Sequence, residues 1–217
     1  MLLALTWVLP LVASLLAARG RLVWLVPLAL APALATSVAV PSGTQLELPW
    51  LLLGTVLGID DISRIFLAFT SLLWLAAGLF TSLSPKHAPN GGRFRLFFLL
   101  AMTGNLLLIL AQDLIAFYLG FSLMGLAAYG LVVHDGTRTA LRAGKLYLVM
   151  TILGELALFT ALVLIAAHAG TLVPTPEDLL GLGDLAVGLL LLALGIKAGL
   201  VPVHIWLPLA HPAAPIP

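Results

Sequence analysis

Two ionisable residues stand deep inside apolar runs: Glu155 in "TILGELALFT" and Lys197 in "LALGIKAGLV". Two histidines follow the lysine, His204 and His211, among five prolines at 202, 208, 212, 215 and 217. An ionisable group in hydrocarbon costs at least about 2.5–3.5 kcal/mol. Two outcomes lower that cost: the lysine gives up its proton, or it pairs with an acid such as Glu155. A lysine poised between those outcomes takes and releases a proton as its partner approaches or leaves, which is what a proton relay requires. The alternative is a static Lys197–Glu155 pair pinning two helices, and one buried pair is a poor source of stability. His204 lies seven residues beyond Lys197, two turns along, so an unbroken helix sets both on one face. Pro202 intervenes, removes an N–H and frees a carbonyl near Ala198. Broken backbone at membrane depth is tolerated where it lines a wet cavity or is buried in protein. The relay expected from these residues runs through Lys197, Glu155 and His204 toward His211. Pro202 and Pro208 are the expected helix breakers.

These residues need elements that hold them in a bilayer. The chain has 217 residues, 62% hydrophobic and 9% charged, against about 25% charged in a soluble domain. Continuous apolar runs rather than alternating ones exclude a barrel. The expected fold is an all-α polytopic membrane protein of about seven transmembrane helices. The spans fall near 2–18, 22–40, 62–83, 96–111, 114–133, 146–168 and 184–209, the seventh broken near Lys197–Pro202. The first segment lacks a basic start and reads as a retained span rather than a leader. The stretch 46–59 is too short to cross and reads as an interfacial hairpin or short helix, with Trp50 at headgroup level. Glu155 lies ten residues beyond Lys145, and Lys197 thirteen beyond Asp184, about 15 and 20 Å along their helices. Both fall near the middle of a hydrocarbon layer about 30 Å thick.

Eight of the ten Lys and Arg residues fall in alternate loops: Arg19, Arg21, Lys86, Arg93, Arg95, Arg138, Arg142 and Lys145. The other loops carry Glu47, Asp113, Glu177 and Asp178. Basic loops face the cytoplasm, which sets the N-terminus outside the cell membrane. Arg64 reads as an interfacial residue paired with Asp60 and Asp61. His134 and His168 read as span-end residues, and His87 as a loop residue. Gly120, Gly125, Gly130, Gly154, Gly195 and Gly199 are expected to allow close helix packing. There is no cysteine, so thiol chemistry is excluded. No stretch resembles a metal site, a nucleotide loop or a catalytic triad, and "GIDDIS" lacks the frame of a calcium loop. No cofactor, nucleic acid, or redox or hydrolytic site is expected in this chain.

The segment "KAGLVPVHIWLPLAHPAAPIP" resembles the signature of the antiporter-like membrane subunits. These subunits occur in proton-pumping NADH:quinone oxidoreductase (complex I), Mrp cation/proton antiporters and membrane-bound hydrogenase complexes. Lys197, Pro202, His204, Trp206, Leu207, Pro208, Ala210, His211, Ala214 and Pro215 carry the match. "GIDDISRIF" resembles the start of the family's third span and "DLIAFYLGFSLMGLAAYGLV" its fifth span, both more weakly. The resemblance implies a fourteen-helix fold of two inverted repeats, each with a buried lysine on a broken helix, and proton or sodium translocation driven by a redox complex. It covers the chain but only the first half of that fold. The implied organisation is one transmembrane domain over 1–217. Residues 2–83 form three initial spans, and 94–217 form most of the first repeat without its last helix. The implied partners are other membrane subunits and the missing C-terminal half or a second antiporter-like chain. The family usually places Trp-Glu in the fifth span. Here Phe121-Ser122 stands there, and Glu155 on the neighbouring span is the expected substitute, which brings Ser122 into the site. The alternatives are a non-conducting scaffold subunit, or a subunit of a cation antiporter or inorganic-carbon transporter.

Overall fold

The computed structural model describes residues 1–17, 25–51, 53–83 and 91–214. Arg19, Arg21, Lys86, His87 and Pro215 lie outside the described residues. The elements run α1 (Leu2–Ala17), α2 (Leu25–Leu28), α3 (Ala31–Ala39), β1 (Thr44–Leu48), β2 (Thr55–Ile59), α4 (Asp61–Leu83), α5 (Gly91–Leu110), α6 (Leu114–Val132), α7 (Arg138–Ala169), α8 (Asp184–Ala198) and α9 (Leu207–Ala213). Among the described residues, α4, α5, α6 and α7 are each long and apolar enough to cross a membrane. α1 and α8 are shorter, at 16 and 15 residues. The single span expected over 22–40 is divided here into α2 and α3 by a turn at Ala29–Leu30. Pro32 in the first turn of α3 has no N–H to bond back across that turn.

Two helices start earlier than hydropathy suggests. Thr137 accepts the Ala140 N–H at 3.1 Å and caps α7 eight residues before the expected boundary. Arg138, Arg142 and Lys145 are therefore on the helix and not in a loop. Arg93 and Arg95 likewise lie on α5. Hydropathy marks where the bilayer begins, whereas the cap decides where the helix begins.

One β-hairpin interrupts the helical fold. β1 and β2 pair antiparallel, from Thr44 opposite Ile59 to Leu48 opposite Thr55, and exposed Trp50 lies in the connection. Leu46 and Leu48 alternate with Gln45 and Glu47, the period of a strand. Asp113 ties this hairpin to the helices. Its Oδ1 accepts from Ile115 N and Ala116 N at 2.8 Å each, capping α6, and its Oδ2 accepts from Val56 N at 2.6 Å. Asp113→Ala is expected to cost about 0.5–2 kcal/mol for the cap alone. It should lower the thermal unfolding midpoint of the purified protein, and an unchanged midpoint would contradict the tie.

Arg64 does not pair with the acids beside it. Its guanidinium donates to Val40 O at 2.5 Å, Ser37 O at 3.3 Å and Ser42 Oγ at 3.2 Å, so the cation sits at the C-terminal end of α3. Positive charge is favoured there by the unsatisfied carbonyls. The acids turn to serines instead. Ser63 N donates to Asp60 Oδ1 at 2.7 Å and Ser42 Oγ to Asp61 Oδ1 at 2.5 Å. The Ser63 backbone bond holds the Asp60 carboxyl below the ordinary carboxylate range.

The helices meet closely where glycine removes the side chain. A Cβ on Gly104 of α5 would lie 2.8 Å from Gly120 O on α6, and one on Gly120 would lie 2.6 Å from Leu108 N. Backbone thus rests on backbone, and neither neighbour can yield. Gly104→Ala is expected to destabilise by about 1–3 kcal/mol through overpacking. Gly188→Ala, on α8 with nothing within 4 Å of its Cβ, should stabilise slightly, since alanine is the better helix former by about 1 kcal/mol. Thermal unfolding of the two variants checks the contrast. One buried cluster joins α1, α2, α3, β2 and α5 around Leu30, Leu57, Leu99 and Met102. A second joins α6, α7 and α8 through Phe121, Leu158, Leu162 and Ala193. The functional candidates belong to that second group.

Candidate functional site

α8 stops one residue past Lys197. Gly199 adopts φ 67, the left-handed conformation that glycine takes without strain. Leu200 N donates to Gly195 O at 2.9 Å, and Gly199 N to Ile196 O at 3.2 Å. This pair of bonds closes a helix end on its own carbonyls. The Trp206 indole N–H adds a third bond, to Ile196 O at 2.8 Å. Residues 201–206 are turns, with Pro202 among them, and Pro208 occupies the first turn of α9. The signal that ends α8 is therefore Gly199, three residues ahead of Pro202.

Lys197 hangs from this end into the space between α6 and α7. Its Nζ is enclosed, has no hydrogen-bond partner among the described residues, and lies 4.7 Å from the centre of the Phe121 ring. A cation over an aromatic face is attracted by the ring quadrupole. Glu155 is buried on α7 at 8% exposure. Its Oε2 accepts a hydrogen bond from Ser122 Oγ on α6. Its Oε1 has no partner among the described residues. Gly125 lies between the two: a Cβ there would collide with Lys197 Nζ and meet Glu155 Oε1 at 3.2 Å. The amine and the carboxylate thus approach the same bare patch of α6 without bonding each other. The missing side chain at Gly125 is what gives them room.

A small cavity opens at this point, lined by Phe121, Tyr147, Thr151, Glu155, Lys197 and Trp206 together with Gly154, Ala193 and Ile196. The space open to a water's centre is about 10 Å³, about one molecule's worth. Tyr147 Oη donates to Gly125 O at 2.9 Å, and its ring meets Trp206 edge-on at 5.2 Å. Tyr147, Thr151 and Glu155 recur every four residues along one face of α7. That spacing is readable in the sequence, where only Glu155 stands out by charge.

The structure brings Lys197, Glu155 and Ser122 together. It does not bring His204 or His211 to the same cavity. His204 lies in the turns after α8 with Nδ1 enclosed and unpartnered among the described residues, and His211 is exposed on α9. His168 Nε2 lies 3.2 Å from Leu180 O. His134 packs edge-on to Phe94 just past α6, where burial pushes its imidazole down and Asp135 opposes that shift.

Residues 111–217, which hold this entire constellation, match the family model described as "NADH:quinone oxidoreductase/Mrp antiporter, TM". The chain belongs to the antiporter-like membrane-subunit family. Hydrogenase-4 component B of Escherichia coli is 30% identical over 165 residues, covering 73% of this chain and 27% of that protein. A subunit of the probable K(+)/H(+) antiporter of Rhizobium meliloti is 31% identical over 176 residues, covering 76% of this chain and 32% of that one. Among solved structures, respiratory complex I from Thermus thermophilus contains a chain that matches with a TM-score of 0.78 at 25% identity. That match covers 99% of this chain and 48% of the other. This antiporter-like protein therefore spans 27–32% of the length of those two curated relatives and about half of that solved chain. It is an integral membrane protein of a kind found in multisubunit membrane complexes.

Proposed function

We propose that this antiporter-like chain translocates protons, or another cation, within a redox-driven complex of the NADH:quinone oxidoreductase or hydrogenase type, and that Lys197 is the relay. The observation that carries this reading is the enclosed, unbonded Lys197 Nζ facing an unbonded Glu155 Oε1 across Gly125. A static pair closes into a direct hydrogen-bonded contact, because each charge alone is costly. A switching pair stays within reach of one bridging water. Ser122 holds one carboxylate oxygen and leaves the other free for the lysine. His204 and His211 extend the path toward α9 once water enters the turns between the helices.

In this reading α8 and α9 are two halves of a seventh span broken between Ala198 and Leu207. α1 and the α2–α3 pair complete the count with α4, α5, α6 and α7. The chain acts as one domain over 1–217, with 94–217 forming most of the first repeat. A complete path needs further helices, supplied by a C-terminal half or a second antiporter-like chain, together with other membrane subunits. The proposed location is the cell membrane with the N-terminus outside, because eight of the ten basic residues gather on one side of the proposed spans.

Cysteines introduced at Arg138 and Thr175 should label from opposite faces, Arg138→Cys from the cytoplasm; labelling of both from one face rejects the topology. The function itself is tested by ion flux in membrane vesicles that carry the assembled complex, with and without the Lys197 side chain. Flux that survives its removal would take Lys197 out of the path and favour the scaffold reading.

A further inference from the structure

α7 is longer than a bilayer core, and its outward face divides sharply in two. Positions 138, 142, 145, 149, 152, 156, 159 and 163 follow one another at steps of four and three, so they form a single stripe. All eight are exposed. The first three are Arg138, Arg142 and Lys145; the rest are Val149, Ile152, Leu156, Phe159 and Val163. Eighteen residues from Lys145 to Val163 rise about 27 Å, close to the hydrocarbon thickness of about 30 Å. The basic residues occupy the two turns before that, about 10 Å of helix, which is the headgroup layer. The side chains of Arg138, Arg142 and Lys145 have no hydrogen bond or ion pair among the described residues. They also stand at the N-terminal end of their helix, where positive charge is disfavoured by the macrodipole. The helix itself gains nothing from them there. The acid of α7, Glu155, is buried at the flank of the stripe and not exposed on it, and the nearest acid in sequence to the basic residues is Asp135, exposed in the preceding turn.

The composition of the two faces says what covers the stripe. Helix–helix contacts in membranes favour small residues that let backbones approach. The buried side of α7 has them: Gly144, Thr151, Gly154, Ala157 and Ala161. The stripe has large branched and aromatic side chains and no small residue. It is shaped for acyl chains, with a cationic head end.

We propose that the basic end of the α7 stripe is a binding surface for an anionic phospholipid, its phosphate held by Arg138, Arg142 and Lys145 and its acyl chain lying along Val149, Ile152 and Leu156, about one leaflet's depth. Charge complementarity selects the headgroup, and the position of the three basic residues at one end of the apolar stripe selects the leaflet. The inference is independent of the relay.

The test places a photoreactive benzoyl-phenylalanine at Val149 in the assembled complex. The complex is then reconstituted in bilayers of phosphatidylcholine with a minority of phosphatidylglycerol, and the adducts are read by mass spectrometry. Lipid adducts enriched in phosphatidylglycerol over its share of the bilayer are expected. Arg142→Gln should lower that enrichment about fivefold, the factor equivalent to the loss of one charge near an anionic lipid. A cross-link to polypeptide would show that another subunit or another part of the protein covers the stripe, and would overturn the proposal. Lipid adducts that mirror the bilayer composition would overturn it as well, leaving a non-selective lipid face. The cross-link is read with the native charges in place, so it stands even where the glutamine variant assembles poorly.

Discussion

Replacing Lys197 by alanine is expected to reduce ion flux through the assembled complex at least about a hundredfold, the lower range for loss of a positioned proton donor or acceptor. Assembly should persist, because the Nζ makes no hydrogen bond among the described residues that the fold depends on. The end of α8 is fixed instead by Gly199, Leu200 and Trp206, which bond to the Gly195 and Ile196 carbonyls. Lys197→Arg sharpens the test. Arginine keeps the positive charge but does not release its proton in a protein. A relay therefore fails with arginine as it fails with alanine. A purely electrostatic anchor would tolerate arginine and fail with alanine. Flux is measured in vesicles, with subunit content measured in the same membranes. Normal flux in the alanine variant would remove Lys197 from the path altogether.

The charged half of this site is legible in the sequence because charge inside an apolar run has few explanations. Glu155 and Lys197 announce themselves, and "HIWLPLAH" ties the lysine to a family. The helix end is less legible. Pro202 draws attention as the stronger breaker, but Gly199 acts first, and a glycine in a membrane helix reads equally well as a packing residue. The contact between Ser122 and Glu155 joins residues 33 apart in sequence on two different helices, so no local spacing reveals it. Tyr147 and Thr151 share the face of Glu155 at steps of four, but uncharged residues at that spacing are common in any helix core. Hydropathy locates α4, α5, α6 and α7 within a few residues at their apolar ends. It misplaces the starts of α5 and α7, because the charged residues Arg93, Arg95, Arg138, Arg142 and Lys145 lie on helix that an apolar window does not mark. The hairpin is half legible. "LELPWLLLGTVLGI" is too short to cross and leaves a hairpin or a short helix open, and only the alternation of Gln45, Leu46, Glu47 and Leu48 favours the strands that form.

Glu155→Gln is expected to lower flux at least about tenfold, since interactions with a charged partner contribute about 1.5–3 kcal/mol, and to leave assembly intact. Glutamine keeps the shape and can still accept the Ser122 hydroxyl, so the variant removes the negative charge and little else. A second change separates charge from position. Ser122 lies one turn from Gly125 on α6 and bonds Glu155 from the facing helix, so exchanging the two residues moves the carboxylate from α7 to α6 across a single contact. Ser122→Glu combined with Glu155→Ser exchanges the two partners while keeping one carboxylate and one hydroxyl. The exchanged protein should recover most of the flux lost in Glu155→Gln, because Lys197 needs an acid within reach of Gly125 and not an acid on a particular helix. Ser122→Ala should have a smaller effect than Glu155→Gln, as it loosens one oxygen of the carboxylate without removing it. If Glu155→Gln leaves flux unchanged while Lys197→Ala stops it, the lysine works with another partner and Glu155 is a packing residue. If the exchanged protein stays as impaired as Glu155→Gln, the direction from which the carboxylate faces the amine matters as much as its presence, and the acid must stand on α7 for Lys197 to work.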